Sequence, residues 1–391
     1  MTTEISSDKW DTLRRRLLQA LNGSNGSSQA KDAIRIAHEP QRRERAKSQE
    51  LMLRSNGQKL VSYFAEGHEI IPSKVRPQLV HIENADSFEA RLFRAATLFW
   101  SVPVSSGYGR RLRFLVMDRQ NSKLIGILAI GDPVFNLACR DQWIGWDVNQ
   151  RRERLAYMLD AYILGSVPPY SMLLGGKVVG SLLNSHEIKT IFRKKYAGKQ
   201  GIISGHQKDP YLALLTTTSA LGKSSIYNRL KLPGMVEFLK IGRTSGWGHF
   251  MISDDLFREV RLLLKEQDHS YHNGYKFGQG PSWRLRTIRK ACELLDIDKN
   301  LLQHGIQREV YAVPLASNWR EILHGEKRRP KGSSYTASQI GKSAVERWVI
   351  PRSERKSDWR SWQREDSWKA ITQYAFDSIE DEWQTILSPD K

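Results

Sequence analysis

Hydrophobic positions recur with two different periods along the chain, and the change of period predicts where helices give way to strands. Over about the first 60 residues, apolar side chains follow the 3.6-residue spacing of amphipathic helices, in the runs 8–23 and 30–56. A tract rich in glycine, asparagine and serine, Asn22–Ser28, separates the two runs. The N-terminal part is therefore expected to be helical, with a basic face around Arg42, Arg43 and Arg45.

Strand-like patterns begin near residue 70. The apolar runs RLRFLVMD and KLIGILAIGD are joined by the short polar connection 119–122, which predicts a β-hairpin. LAYMLDAYIL and YLALLTTTS have the composition of further strands, and EFLKIGRTSGWGHFMI predicts a final hairpin with glycines at its turn. Helical spacing lies between them, in DSFEARLFRAATLFW, in the stretch after VPPYSMLLGG and in SSIYNRLKL. This order of strands and helices predicts an α+β fold.

The same patterns divide the chain into three parts. Residues 1–69 are predicted to form a helical N-terminal extension, residues 70–255 the α+β core, and residues 256–391 a helical C-terminal extension rich in tryptophan and arginine. The hydrophobic fraction of 40% is that of a folded protein, and no apolar run is long enough to span a membrane. The polar N-terminus lacks the pattern of a secretory signal, so we expect a cytoplasmic protein that does not bind membranes.

Charge is the strongest feature of the composition. The chain has 61 Lys and Arg against 42 Asp and Glu, a formal net charge of +19. An excess of positive charge of this size favours a polyanionic partner, DNA or RNA, because contacts of Lys and Arg with phosphates release condensed counterions. The alternative is a basic surface that is only solvated.

Basic side chains are concentrated in three stretches that we take as candidate nucleic-acid contacts. The first follows the glycine-containing turn 106–109, and the second, from 189 to 208, holds six Lys or Arg and no acid and includes a glycine loop at 198–205. In the third, near the C-terminus, arginines interleave with tryptophans, the material of base-stacking surfaces. A docked C-terminal arm that uses tryptophans as anchors is the alternative for this third stretch. The candidate residues are Arg110, Arg111, Arg113, Lys189, Arg193, Lys194, Lys195, Arg347 and Arg352.

The order of elements resembles the GCN5-related N-acetyltransferase fold. In that fold a central strand feeds a helix through a loop whose amides hold a pyrophosphate, which here corresponds to the segment from Tyr170 to Lys177. The resemblance implies a CoA-type or other nucleotide-containing ligand bound by Ser171, Leu174, Gly175, Gly176 and Lys177. It also implies that Tyr227 protonates a leaving thiolate. The alternatives are that the glycines allow close packing of a helix on a strand and that the tyrosine is a packing residue.

Arg140 and Asp141 lie beside Trp143 and Trp146 in an irregular stretch. These residues could form a catalytic pocket. In such a pocket an aromatic ring stacks on a base, Arg140 holds a phosphate and Asp141 orients Arg140 or its phosphate. A buried structural Arg–Asp pair under packed tryptophans explains them equally well.

Other chemistries are less well supported by the sequence. Gly222-Lys223-Ser224 lacks the first glycine of a P-loop, because Thr217 stands in that position. The pair His269 and His272 has no third ligand nearby, so no metal site is predicted. The aspartates at 118, 132, 141 and 147 leave a metal-dependent nuclease open, since the sequence does not show whether they converge.

A second resemblance covers most of the chain, from about Phe64 to Trp368. WSVPVSSGYGRRLRFLVMD, RDQWIGW, GSVPPYSMLLGGK, TTSALGKSSIYNR, IGRTSGWGHF, GIQREVYAVPL and ERWVIPRSER resemble the DruA-like family, named from the Druantia anti-phage defence system. The resemblance implies a bacterial defence or mobile-element context with helicase or nuclease partner subunits. Three hypotheses follow: a nucleic-acid-directed component with acyltransferase-like activity, a nuclease or transposition accessory protein, and a DNA-targeting subunit without catalysis.

Overall fold

A computed structural model describes residues 2–22, 31–105, 107, 109–200, 209–273, 283–332 and 334–376. The Asn22–Ser28 tract beyond Asn22, Ser106 and the loop from 201 to 208 lie outside the described residues. The strands are β1 (Pro77–His81), β2 (Arg111–Asp118), β3 (Lys123–Gly131), β4 (Met158–Ser166), β5 (Leu214–Thr218), β6 (Lys231–Leu232), β7 (Val236–Glu237), β8 (Leu239–Arg243) and β9 (Glu309–Pro314). The helices are α1 (Thr2–Asn22), α2 (Lys31–Ala37), α3 (Glu39–Lys47), α4 (Glu50–Val61), α5 (Phe88–Thr97), α6 (Ala138–Ile144), α7 (Val148–Arg154), α8 (Gly175–Ser181), α9 (His186–Tyr196), α10 (Asp254–Glu266), α11 (Trp283–Leu294), α12 (Trp319–His324), α13 (Ala337–Ala344), α14 (Ile350–Arg355) and α15 (Arg364–Thr372).

Seven strands form one mixed sheet in the order β1-β2-β3-β4-β5-β9-β8, and β6 and β7 form a separate ribbon. The predicted hairpin of β2 and β3 is confirmed, with Arg111 opposite Gly131 and Asp118 opposite Lys123. β4 and β5 are the one parallel pair among the described strands, and their register covers only Met158–Asp160 against Leu214–Thr216. β4 continues to Ser166 and β5 to Thr218, so the backbone pairing of the two strands stops at Asp160 and Thr216, and we call the region beyond it the gap between β4 and β5.

Helices cover both faces of the sheet. One face buries apolar residues of β2 to β5 against α8, α9 and α13, including Val178, Phe192 and Ile340. The other face packs against α4, α5 and α15, through Leu53, Phe93 and other side chains. A third apolar cluster joins α1 to α10 and α11. The α+β class is therefore confirmed, and the finer acetyltransferase-like description stays a prediction.

The predicted hairpin in EFLKIGRTSGWGHFMI is wrong. Glu237 ends β7 and Leu239–Arg243 forms β8, which pairs antiparallel with β9, a strand that comes from GIQREVYAVPL far along the chain. β9 lies beyond residue 255 and fits between β5 and β8. The sheet therefore does not end at the predicted boundary of the core, and the C-terminal part is not purely helical.

The segment SSIYNRLKL is not a helix. It forms a short 3₁₀ turn, Tyr227–Arg229, followed by β6. Its apolar residues have helix-like spacing because Ile226 and Leu230 lie over the glycine face of α8, next to Gly176 and Gly180.

The C-terminal segment docks on the core through tryptophans, as the arm alternative predicts. Trp348, Trp359 and Trp368 are buried. α13 runs through a π-helical turn, Val345–Val349, into α14. None of the described helices is both long and apolar enough to cross a membrane.

Candidate functional site

The turn between β4 and α8 is the predicted anion loop, and several of its backbone amides donate to carbonyls of the same turn. The amide of Ser171 donates to the carbonyl of Val167 at 2.9 Å, and that of Gly175 donates to the carbonyl of Tyr170 at 2.8 Å. Leu174 adopts a left-handed backbone conformation, with φ of 61°. Amides that donate to carbonyls of their own turn are not directed at a bound pyrophosphate. The geometry of this loop favours the packing alternative.

The two glycines of α8 differ in what surrounds them. A Cβ atom on Gly175 would lie 2.6 Å from the carbonyl oxygen of Tyr170, whereas one on Gly176 would lie 3.0 Å from the terminal methyl group of Ile226. Gly175 is therefore required for a close backbone approach, and Gly176 faces a side chain that can move.

Lys177 is the one charged group of this loop, and it is buried with 8% of its surface exposed. Its ammonium lies 3.5 Å from the carbonyl oxygen of Arg229 and 5.2 Å from the ring centroid of Trp348. Burial, together with repulsion from Arg229 and Arg347, lowers the pKa of Lys177. A lysine in such surroundings is a candidate partner for an anion.

Tyr227 lies at the gap between β4 and β5. Its hydroxyl donates to the carbonyl of Leu164 on β4 at 3.1 Å, and its ring stacks on Phe238 with centroids 5.4 Å apart. Burial raises the pKa of Tyr227 to about 12. The phenol therefore keeps its proton at neutral pH, as a general acid must, although it stands on a 3₁₀ turn and not on the predicted helix.

Arg140 and Asp141 form a buried network. The guanidinium is fully buried, contacts the Asp141 carboxylate at 2.6 Å, and donates to the carbonyls of Val134 and Phe135 at 2.8 and 2.9 Å. Asp141 also accepts from Arg151 at 2.8 Å. Because these groups satisfy one another inside the protein, their geometry favours the structural-pair alternative over a phosphate pocket.

The other aspartates proposed for a nuclease site are engaged separately. Asp118 accepts from the Tyr170 hydroxyl at 2.8 Å, Asp132 pairs with Arg110 at 2.7 Å, and Asp147 caps the start of α7. The described part of the chain holds no group of three or more His, Cys, Asp or Glu side chains arranged to bind a metal ion. This arrangement gives no support to the nuclease alternative.

Two of the predicted nucleic-acid residues have structural partners. Besides pairing with Asp132, Arg110 donates to the carbonyl of Ala156 at 2.8 Å. Lys189 donates to the carbonyl of Leu315 at 3.0 Å, and burial lowers its pKa to about 8. These contacts point both side chains into the protein, so the geometry does not favour them as phosphate ligands.

The C-terminal candidates lie beside α8 and the turn that precedes it. Arg352 donates to the carbonyl of Met172 at 3.1 Å and so ties α14 to the turn before α8. Arg347 is exposed beside Lys177.

Arg193 and Lys194 are exposed on the last turn of α9, and Arg193 lies 4.9 Å from the ring centroid of Tyr211.

The remaining basic candidates come together, although they are distant in sequence. Lys195 on α9 donates to the carbonyl of Arg111 on β2 at 3.0 Å, and the Tyr196 hydroxyl contacts the same residue. Arg113 repels both Lys195 and Arg45 of α3, and it also repels Arg94 of α5. We call this set the basic band: Arg45, Arg91, Arg94, Arg111, Arg113 and Lys195.

The surroundings of Arg45, Arg94 and Lys195 disfavour their positive charges. Burial, and then repulsion among neighbouring cations, lowers the pKa values of Arg45, Arg94 and Lys195. The attraction of Asp86 for Arg94 and of Glu83 for Lys195 offsets only part of this shift. Among the described residues, no carboxylate lies within ion-pair distance of Arg45, Arg91, Arg94 or Lys195. Sequence reasoning missed Arg91 and Arg94 as contacts, although their three-residue spacing on α5 places them on one helix face.

Comparison with known proteins assigns the family. The family model described as "Druantia protein DruA" matches residues 28–325. The Druantia protein DruA of Escherichia coli (strain UMEA 4076-1) is 48% identical over 343 residues, which cover 88% of this chain and 85% of that protein. No solved structure gives a significant match. This chain therefore belongs to the DruA family, and as such is a component of bacterial anti-phage defence.

Proposed function

We propose that this protein is a nucleic-acid-directed component of its defence system and that the basic band is its nucleic-acid interface. The observation that carries the proposal is the convergence of half-buried cations from α3, α5 and α9, since Arg45, Arg94 and Lys195 have no carboxylate within ion-pair distance among the described residues. Like charges held close together are destabilising by themselves and become stabilising when a polyanion binds. The net charge of +19 adds attraction at longer range.

In this proposal the chain binds and delivers the nucleic acid, and a helicase or nuclease subunit of the same system processes it. The separate engagement of Asp118, Asp132 and Asp147 supports a targeting role over a nuclease role. Binding and processing are then divided between different chains.

Fluorescence anisotropy with labelled DNA and RNA tests the interface. We expect tight binding at low salt and a steep loss of affinity between roughly 50 and 200 mM salt, because each phosphate contact releases counterions. Arg94→Glu and Lys195→Glu should each weaken binding and reduce the salt slope by about one.

The matched control is Arg258→Glu on α10, which makes the same change in net charge outside the band. Arg258 is exposed and pairs with Asp255 of its own helix, so its loss should leave affinity and salt slope close to those of the unmodified protein. Equal effects of all three substitutions would show that only total charge matters and would overturn the band. Melting temperatures confirm that the variants remain folded.

The buried, protonated hydroxyl of Tyr227 supports a second candidate function, which is transfer of an acyl group from a thioester donor of CoA type. A donor that enters the gap between β4 and β5 would replace the Leu164 carbonyl as acceptor of the Tyr227 hydrogen bond. The bond from the acyl carbon to sulfur would then break as the bond to the acceptor forms. Tyr227 would give its proton to the thiolate, and the acceptor would release its proton to water.

Mass spectrometry of protein, DNA and a panel of acyl-CoA donors tests this second function. We expect an acyl mass increase on the DNA or on a protein, and Tyr227→Phe should abolish it without unfolding the chain. The absence of any mass change with every donor would remove the transferase proposal and leave the nucleic-acid proposal intact.

A further inference from the structure

The Lys177 ammonium is buried without a carboxylate to balance its charge among the described residues. Only 8% of its surface is exposed, and among the described residues its ammonium donates to the Arg229 carbonyl at 3.5 Å. No carboxylate among the described residues lies within ion-pair distance of it. Burying an ammonium without a counter-charge is costly, so such groups are retained where a ligand supplies the missing charge.

Two further cations stand beside this lysine. Arg229 ends the 3₁₀ turn that begins with Tyr227, and Arg347 precedes Trp348, whose ring lies against the Lys177 ammonium. Both arginines are exposed, and neither forms an ion pair within the described residues. After burial, the charges of Arg229 and Arg347 are what lower the pKa of Lys177, so the repulsion that the Lys177 ammonium experiences from both arginines would be relieved by an anion.

An open groove of about 390 Å³ begins at Arg347. Its apolar wall is formed by Leu232, Pro233 and Met235, and its polar side by Ser343 and Glu346. A flat apolar wall next to a cationic cluster suits a ligand with a ring system at one end and phosphates at the other.

We propose that Lys177, Arg229 and Arg347 bind the phosphates of a nucleotide-class ligand, a nucleoside diphosphate or an equivalent, whose base lies in the adjoining groove. The inference deepens the proposal of a CoA-type acyl donor, and it rests on that proposal only for the class of ligand. It transfers phosphate binding from the amides of the anion loop, several of which donate within their own turn, to three side chains. Arg229 and Arg347 supply planar forks that match phosphate oxygens, and Lys177 supplies a point charge beneath them.

Calorimetric titration with ADP, GDP, CDP and UDP, each beside its nucleoside, tests the site at low salt. We expect at least one diphosphate to bind, and its nucleoside to bind more weakly by roughly ten- to hundred-fold, because charge-assisted hydrogen bonds are lost. Arg347→Ala should weaken the diphosphate by a similar factor. Lys177→Met, which keeps the length of the side chain, should also weaken binding and melt at the same or a higher temperature, because an uncompensated buried charge is removed.

Lys342→Ala is the matched control, since Lys342 lies on the same helix as Arg347 and is exposed beside Glu346 at 4.0 Å. It should leave nucleotide affinity unchanged. The site would be overturned if none of the four diphosphates bound. It would also be overturned if Arg347→Ala and Lys177→Met bound the diphosphate as tightly as the unmodified protein does.

Two controls separate this site from the basic band and from acyl transfer. Arg347→Ala should keep the DNA affinity of the unmodified protein, and Lys195→Glu should keep the nucleotide affinity. If Arg347→Ala instead lost DNA affinity and kept its nucleotide affinity, the three cations would be contacts to the DNA backbone. That result would overturn the small-molecule inference. Diphosphate binding without acyl transfer would keep this site and remove only the transferase function.

Discussion

Arg140 shows how one residue can look catalytic in sequence and be structural in the fold. Its neighbours in sequence, an aspartate and two tryptophans, are those of a base-binding pocket. In the structure its guanidinium holds the carbonyls of Val134 and Phe135 while the carboxylate of Asp141 balances its charge. A planar group with five N–H donors can join two carbonyls and a carboxylate at once, which a lysine cannot.

Removal of Arg140 should therefore change stability. Arg140→Ala removes one of the two arginines that pair with Asp141 and leaves the carbonyls of Val134 and Phe135 without these donors, so we expect the free energy of unfolding to fall by about 3 kcal/mol. Arg140→Lys should recover only part of this loss because the ammonium lacks the fork. Urea denaturation of both variants measures the effect.

Arg119→Ala serves as the control for this prediction, because Arg119 is exposed and its loss should change stability by less than about 0.5 kcal/mol. A stable Arg140→Ala protein that no longer binds nucleic acid would contradict the structural role and restore Arg140 to the functional site.

At the scale of elements, α8 illustrates how glycines let a helix pack under a turn. All seven of its residues are buried, between the sheet on one side and the segment from Ile226 to Phe238 on the other. A Cβ atom added to Gly175 would contact backbone, whereas one added to Gly176 would contact a side chain, so substitutions at the two positions can be compared directly.

Gly175→Ala should destabilise the protein by about 1–3 kcal/mol, because the added methyl group overlaps the Tyr170 carbonyl and the turn must shift. Gly176→Ala should change stability by less than about 1 kcal/mol, since Ile226 can rotate and alanine favours the helix. Thermal melts of the two variants give the comparison. Equal melting temperatures would show that the turn is not held by this close approach.

Local patterns predicted the local elements of this fold. The β2–β3 hairpin and α5 follow from apolar spacing and a short polar connection, which act between neighbours in sequence. The pairing of β8 with β9 depends on residues far apart in the chain, and apolar periodicity does not identify a distant partner. For the same reason the sequence identified Arg111 and Lys195 but did not show that they meet, or that Arg94 joins them.

At the scale of the whole molecule, a histidine cluster ties the N-terminal helices to the C-terminal half. His38, at the start of α3, accepts from Arg308 at 3.0 Å, and its ring lies 4.3 Å from that of Phe250. Phe250 in turn contacts His304 at 4.8 Å. Burial of the two histidines, and then repulsion from Arg308, lowers both pKa values to about 4, so both histidines are held neutral.

The sign of the pH dependence follows from these shifts. In the unfolded chain both histidines take up a proton near their ordinary pKa of 6.5, whereas in the folded protein they do so only near 4. Stability is therefore full above about pH 6.5 and falls as the pH drops towards 4, by up to about 3 kcal/mol for each histidine. The two losses should not simply add, because His38 and His304 share Arg308 as a neighbour.

His38→Gln tests whether this cluster is the origin of the acid sensitivity. Glutamine can still accept from Arg308 but does not titrate, so urea denaturation between pH 7.5 and 4.5 should give a shallower loss of stability than in the unmodified protein. His68→Gln is the control, since His68 is exposed and its loss should leave the slope unchanged. The same slope in all three proteins would place the acid-sensitive group elsewhere. A shallower slope only in His38→Gln would show that protonation of this cluster loosens the contact between the N-terminal helices and the rest of the molecule.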